Sequence, residues 1–254
     1  MTTPSFSVYG LATALICAGD DVAAHLIAAA GRSECGGFLA GDVMVVAESA
    51  VATAEGRAVH LAGVEPSDEA LRLAEKYHMD PRLVEVVLRE SDRVVGGIPG
   101  FLLCMKNGTL LPNAGIDASN TPHGSVLLLP ADPDASAARI RTAIRVRSGA
   151  DVGVIVIDSR THAMRLGCSG VAIGCSGIPS VLDECGKQDL FGRELEVTKR
   201  AVADCIASAA ELVMGEANEC VPAAVVRGLG LPVGDYAGVA TIDASECLFM
   251  GVAL

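Results

Sequence analysis

Tryptophan is absent from this 254-residue sequence, and aromatic residues together supply only 3% of it. The core cannot be organised around large rings, so Ala, Val, Leu and Ile must fill it, and their small size lets elements approach closely. Positive charge is scarce too: 19 Lys and Arg stand against 31 Asp and Glu, a formal net charge of −12. Nucleic-acid binding needs a clustered basic face, so that class of partner is not expected. An anionic ligand would need a cation or local arginines to overcome this background. No apolar run reaches the ~18 uncharged residues that span a bilayer. The N-terminus shows no basic segment ahead of an apolar one, so neither a membrane anchor nor a secretory leader is expected. The expectation is a soluble, cytoplasmic chain.

Sharp catalytic signatures are missing as well. There is no Walker A sequence, no GxGxxG loop, no HExxH helix and no GxSxG elbow. The nine cysteines are odd in number and contain no CxxC pair. Several, such as Cys205 in "AVADCIASAAELVMG", sit inside apolar runs and read as buried intracellular thiols. His25, His60, His78, His123 and His162 are scattered singly, which leaves a histidine-based triad unsupported.

What is present is a mixed pattern. "GDDVAAHLIAAAG" reads as a helix opened by Asp20 and Asp21, "GDVMVVAES" as a strand, and "ATAEGRAVHL" as a loop followed by a strand. "PSDEALRLAEKYHM" and "DPRLVEVVLRESD" read as helices, the second with Asp80 as cap and Pro81 in its first turn. Asn107–Gly108 between two apolar runs signals a hairpin. "GSVLLLPADPDASAARIRTAIRVRSG" reads as strand, turn and helix. "DVGVIVID" is apolar at nearly every position, as expected of a strand covered on both faces. "GCSG" occurs at 167–170 and 174–177, suggesting paired glycine turns around the short strand "VAI", with a ligand or a second backbone passing close by. "EVTKRAVADCIASAAELVMGEA" is the longest helical stretch, leading into the loop and strand of "NECVPAAVVRGLG". "TIDASE" near the C-terminus echoes "GIDASN", by chance or as an additional paired strand. Strands and helices do not alternate as in a Rossmann sheet, so the expected class is α+β with mixed or antiparallel sheets and packed helices.

Two acids follow apolar segments: Asp117 in "NAGIDASN" and Asp158 at the end of "VGVIVID". A carboxylate mounted at a rigid strand end can hold Mg²⁺ or Mn²⁺, hard cations that take oxygen ligands. Ser159 offers a hydroxyl and Glu216 another carboxylate. The alternative is structural, since Asp after a strand often caps a helix or closes an Asx turn.

Taken in order, "NAGIDASN", "LLPADPDASAARIR", "VGVIVIDSRTHAMRLG", "VAIGCSG", "QDLFGRELEVTKRAVADCIASAAELVMGEA" and "PAAVVRGLG" resemble the gamma-glutamyl ligases that extend the deazaflavin coenzyme F-420. "YGLATALICAGDD" and "VVAESAVATAEGR" look like that family's opening segments, and the resemblance spans roughly residues 8 to 230. It implies a single unit of two intertwined, non-contiguous lobes assembled as a homodimer. It implies GTP with Mg²⁺ or Mn²⁺, K⁺ being a candidate further ion. The reaction implied joins L-glutamate to the precursor's carboxylate through an acyl phosphate and then adds a γ-linked glutamate. Carried across, Asp117, Asp158, Ser159 and Glu216 match metal ligands. The nucleotide contacts fall on Thr13, Ala14, Leu15 and Ile16, on Glu48, Ser49 and Thr53, on Asn120, and on the loop Met214, Gly215, Glu216, Ala217, Asn218, Glu219, Cys220 and Val221. Asp158 and Arg165 are the catalytic candidates, Arg165 for phosphate.

Three positions depart from the family pattern. Thr53 replaces a nucleotide-binding Lys of the "SK.EGR" segment, removing a point charge. Glu48 stands where a small hydroxyl residue is common. His162 takes an Arg position in "DSRTH", with Arg160 two residues earlier as a substitute. Two alternatives follow: a diverged ligase using another nucleotide or acceptor, and a non-catalytic protein that binds deazaflavin or nucleotide.

Overall fold

The computed structural model describes residues 5–253. The leader reading rests in part on residues 1–4, and the C-terminal reading includes Leu254; both lie outside the described residues. The chain runs β1 (Ser7–Leu11), α1 (Val22–Arg32), β2 (Val43–Ala47), α2 (Glu48–Ala54), β3 (Ala58–His60), α3 (Asp68–Tyr77), α4 (Pro81–Glu90), β4 (Arg93–Ile98), β5 (Phe101–Lys106) and β6 (Thr109–Pro112). It continues with β7 (Ser125–Leu127), α5 (Pro133–Ser148), β8 (Gly153–Thr161), β9 (Cys168–Ser176), β10 (Val181–Asp183), β11 (Lys199–Ala201), α6 (Val202–Met214), β12 (Ala223–Arg227) and α7 (Leu248–Ala253). This is the expected mixture of α and β. Two compact units result, each drawn from two stretches: the chain through Glu55 with Pro130–Ala240, and Gly56–Leu129 with the chain from Thr241 onward.

The first unit is built on a five-stranded sheet in the order β1-β12-β2-β8-β9. Neighbours are antiparallel except β2 and β8, which run parallel. Side chains alternate across a strand, and each face has its own core. Met44, Val46, Val154 and Val156 pack with Leu26 of α1 and Ile140 and Ile144 of α5. Val43, Val45, Ile155 and Ile157 pack with Ala203, Ile206, Ala207 and Ala210 of α6. Helices cover both faces of β8, which is why its sequence is apolar without alternation.

In the second unit, α3 and α4 pack on a core shared with Leu102, Cys104, Val126 and Leu128. Ser67 caps α3, and Glu85 of α4 accepts from its hydroxyl at 2.6 Å and its N–H at 2.9 Å. The Asn107–Gly108 turn joins β5 to β6 with both residues at positive φ, 49° and 72°. The helix starts foreseen at Asp21 and Asp80 are capped as expected, each aspartate accepting a main-chain N–H, and Asp132 caps α5 in the same way.

Several expectations are corrected. Residues 48–54 form helix α2, not part of a strand and loop: the segment has no side-chain cap, and burial of Ala50, Val51 and Ala52 holds it. The strand between the "GCSG" copies is longer than expected: β9 runs from Cys168 to Ser176, with Gly167 and Gly177 at positive φ just outside it, while Gly170 and Gly174 abut helix backbones, the second-backbone alternative of the reading. The long helix starts only at Val202, since Lys199–Ala201 pair with Val181–Asp183. Of the two readings left open for "TIDASE", the added strand is not seen: residues 241–246 lie in no strand and precede α7. Cys205 is exposed; only Cys35, Cys104 and Cys175 are buried, and all nine cysteines are unpaired. Among the described residues, no helix is long and apolar enough to cross a membrane.

Candidate functional site

Strand β8 does not end at Asp158 but continues through Thr161, passing from fully buried to partly exposed positions. Adjacent residues of a strand serve opposite faces, so Asp158 and Ser159 part company. Asp158 shares its face with Arg160, whose Nε donates to Asp158 Oδ2 at 2.9 Å, and both side chains are largely buried. Arg160 thus neutralises the strand's carboxylate. Ser159 stands on the other face, opposite Gly170 of β9. There α6 comes so close that a Cβ on Gly170 would lie 2.6 Å from the Ala207 carbonyl oxygen.

Strand β9 is a sheet edge, and edge N–H groups need partners. Helix α6 provides them. Glu211 Oε2 accepts from Gly170 N at 2.7 Å and Asp204 Oδ1 from Ala172 N at 2.9 Å, while Ser208 Oγ donates to the Gly170 carbonyl at 2.9 Å. These bonds fix the Glu211 carboxyl group. Its second oxygen, Oε1, is buried with no hydrogen-bond partner among the described residues. One oxygen each from Glu211 and Glu216, with Cys168 Sγ, lie within 4.8 Å of one another. Burial first, then the neighbouring Glu216 carboxyl, pushes Glu211 up to about 7, while the Gly170 N–H and the Ser159 hydroxyl act in the opposite sense. Two acids crowded together around an unsatisfied buried oxygen form an arrangement that a divalent cation would relieve.

The sequence reading singled out Glu216 and Ser159 and did not name Glu211 or Cys168. A signal was there for Glu211: Asp204, Ser208 and Glu211 fall at i, i+4 and i+7, a polar stripe on an otherwise Ala-rich helix. For Cys168 the sequence holds no comparable signal.

The other predicted positions fall as follows. Helix α6 ends at Gly215, and the loop from Met214 to Val221 folds partly on itself, with Ala217 N donating to Glu219 Oε2 at 2.8 Å. Thr13 N donates to the Cys220 carbonyl at 3.2 Å, so the Thr13–Ile16 segment, with Ala14 and Leu15, lies beside this loop. Glu48, Ser49 and Thr53 are on α2, with Glu48 in its first turn, where a carboxylate suits the helix dipole. Arg165 sits in the exposed turn between β8 and β9. Asp117 and Asn120 belong to the second unit. Asp117 Oδ1 accepts from Ala118 N at 2.7 Å and from Ser119 N and Oγ at 3.0 Å, the Asx-turn geometry of the structural alternative. Within the first unit, the structure therefore gathers Ser159 and Glu216 with Glu211 and Cys168, and leaves Asp158 on the opposite face of β8.

Comparison with known proteins decides the family. The model of the F420-0:Gamma-glutamyl ligase family matches residues 10–228. The chain belongs to that family. This gamma-glutamyl ligase family member is 47% identical over 212 residues to the coenzyme F420:L-glutamate ligase of Methanopyrus kandleri, covering 83% of this chain and 82% of the relative. Against the enzyme of the same name from Archaeoglobus fulgidus, identity is 44% over 231 residues, 91% of this chain and 90% of the relative. The Haloarcula marismortui enzyme is 42% identical over 226 residues, 87% and 85% of the two chains. The protein is a ligase, and the matched span contains Ser159, Cys168, Glu211 and Glu216.

Proposed function

We propose that this ligase joins L-glutamate to the carboxylate of the coenzyme F420 precursor by an amide bond and then adds a γ-linked glutamate. The nucleotide is GTP, with Mg²⁺ or Mn²⁺ as the divalent cation and K⁺ as a further ion. The substrate reading follows the names of the relatives. The observation in this chain that supports cation dependence is the Glu211–Glu216 pair around a buried, unpartnered oxygen. A carboxylate and an amine do not condense in water without activation. In the proposed reaction the γ-phosphoryl group of GTP passes to the acceptor carboxylate, giving an acyl phosphate and GDP. The amine of glutamate then attacks the acyl carbon, phosphate leaves, and the ammonium proton goes to solvent. A bound Mg²⁺ or Mn²⁺ supplies neutralisation of the charge that develops on the transferred group.

The residues present fit such a cation. Glu216 and Glu211 offer carboxylate oxygens and Ser159 a hydroxyl, a hard donor set. The metal roles of Asp117 and Asp158, the nucleotide roles of Asn120 and the Met214–Val221 loop, and the phosphate contact of Arg165 are proposals of the same kind. A homodimer is proposed on apolar exposure: Leu166, Leu190 and Phe191 of the first unit are 106%, 98% and 93% exposed, and a second copy of this chain is the partner that would cover them.

Purified protein incubated with GTP, Mn²⁺, glutamate and the precursor should release GDP and phosphate together with a product heavier by one glutamate residue, read by mass spectrometry. Turnover with ATP in place of GTP would show that the loss of Lys at Thr53 has changed nucleotide choice. Binding of the precursor with no heavier product under either nucleotide would overturn the ligase reading of this chain.

A further inference from the structure

Cys168 begins β9 and pairs with Thr161, two residues before the Ser159–Gly170 pair. Alternation places its side chain on the same face as the Gly170 Cα hydrogens that meet α6. Its sulfur lies within 4.8 Å of ligand oxygens of both Glu211 and Glu216. The Glu211 carboxyl cannot turn away, because Oε2 holds the Gly170 N–H at 2.7 Å and the unpartnered Oε1 stays buried. The cluster thus offers one sulfur and two carboxylate oxygens. Magnesium takes oxygen ligands in near-ideal octahedra, whereas softer first-row cations such as Co²⁺ and Zn²⁺ accept thiolate alongside carboxylate.

We propose that Cys168 is a direct ligand of the cation held by Glu211 and Glu216, so that this chain prefers a softer first-row cation such as Co²⁺ or Zn²⁺ to Mg²⁺. The proposal rests on the divalent-cation reading of this cluster. On binding, the S–H bond gives way to a sulfur–metal bond and the proton passes to solvent.

Co²⁺ is the probe, because a cobalt–thiolate bond produces a charge-transfer absorption in the near ultraviolet that oxygen ligands alone do not. The full-length protein titrated with Co²⁺ should show this band saturating at one equivalent. In Cys168→Ser the band should vanish and Co²⁺ affinity, measured by calorimetry, should fall about tenfold or more, while Mg²⁺ affinity stays unchanged. Cys220→Ser, which removes the exposed thiol of the adjacent loop, should keep the band. Co²⁺ binding without the band, or a band that survives Cys168→Ser, would overturn the thiol assignment and leave the carboxylate cation site standing. Failure of Glu211→Gln and Glu216→Gln to weaken Co²⁺ or Mn²⁺ binding would overturn the cation reading itself. Unchanged circular dichroism of each variant shows that the loss is local.

Discussion

Glu211 combines two tasks that pull against each other. One oxygen caps the edge strand at Gly170, and the other is buried beside a second carboxyl with no hydrogen-bond partner among the described residues. Glutamine at this position keeps an acceptor for the Gly170 N–H and removes the like-charge encounter. Glu211→Gln should therefore raise the melting temperature of the metal-free protein by a few degrees above pH 7, and should shrink the additional rise caused by Mn²⁺. Calorimetry is the suitable measurement, since the chain has no tryptophan to report unfolding. A lower melting temperature without metal would show that the acid is needed for the fold alone. Glu85 is the opposite case. The Ser67 hydroxyl, the Ser67 N–H and then Arg89 hold its carboxyl down at about 2 from an ordinary 4.5. The folded value lies below the unfolded one, so this stabilisation is complete above pH 4.5 and disappears as pH falls through about 2. Glu85→Gln should cost about 1–2 kcal/mol near neutral pH. The gap between the two urea midpoints should be smaller at pH 3 than at pH 7; an equal gap at both would rule out the charge as its source.

At the scale of elements, close approach decides what glycine does. Gly170 meets the backbone of α6, and a methyl group there would lie 2.6 Å from the Ala207 oxygen. Gly170→Ala should therefore destabilise by about 1–3 kcal/mol and should disturb the cation cluster as α6 moves. Gly31, near the end of α1, has open space around its Cα and no positive φ. Gly31→Ala should be neutral or stabilise by up to about 1 kcal/mol. Equal costs at the two sites would mean that the β9–α6 approach is not as tight as described. The same elements show why local reading failed where it did. Glycine disfavours strands, so "GCSGVAIGCSG" reads as turns around a short strand; two packed helices impose the extended conformation on Cys168–Ser176 instead. Helix α2 lacks a side-chain cap and so carries no local start signal. In both cases tertiary packing overrides propensity.

At the scale of the whole molecule, the most exposed large apolar side chains among the described residues are Met164, Leu166, Leu190 and Phe191, all in the first unit. If a second copy covers them, Leu190→Asp combined with Phe191→Asp should convert a dimer to a monomer in sedimentation experiments without unfolding the protein, because neither side chain contributes to a core. A wild-type monomer at assay concentrations would remove the dimer from the proposal. The sequence by itself determined the α+β class, the helix starts at Asp21 and Asp80, the hairpin at Asn107–Gly108, the doubly buried β8 and the family. Each rests on information carried locally or in the order of the segments: caps and turns lie within a few residues, and burial on both faces shows as an unbroken apolar run. Only the tertiary structure decided that Ser159, Cys168, Glu211 and Glu216 gather while Asp158 faces away with Arg160. That choice depends on the register of β9 against β8 and on the rotation of α6 about its axis. The first is set across the turn that joins the two strands, the second by packing of α6 on β9 some 40 residues away in the chain, and no spacing within a single segment encodes them.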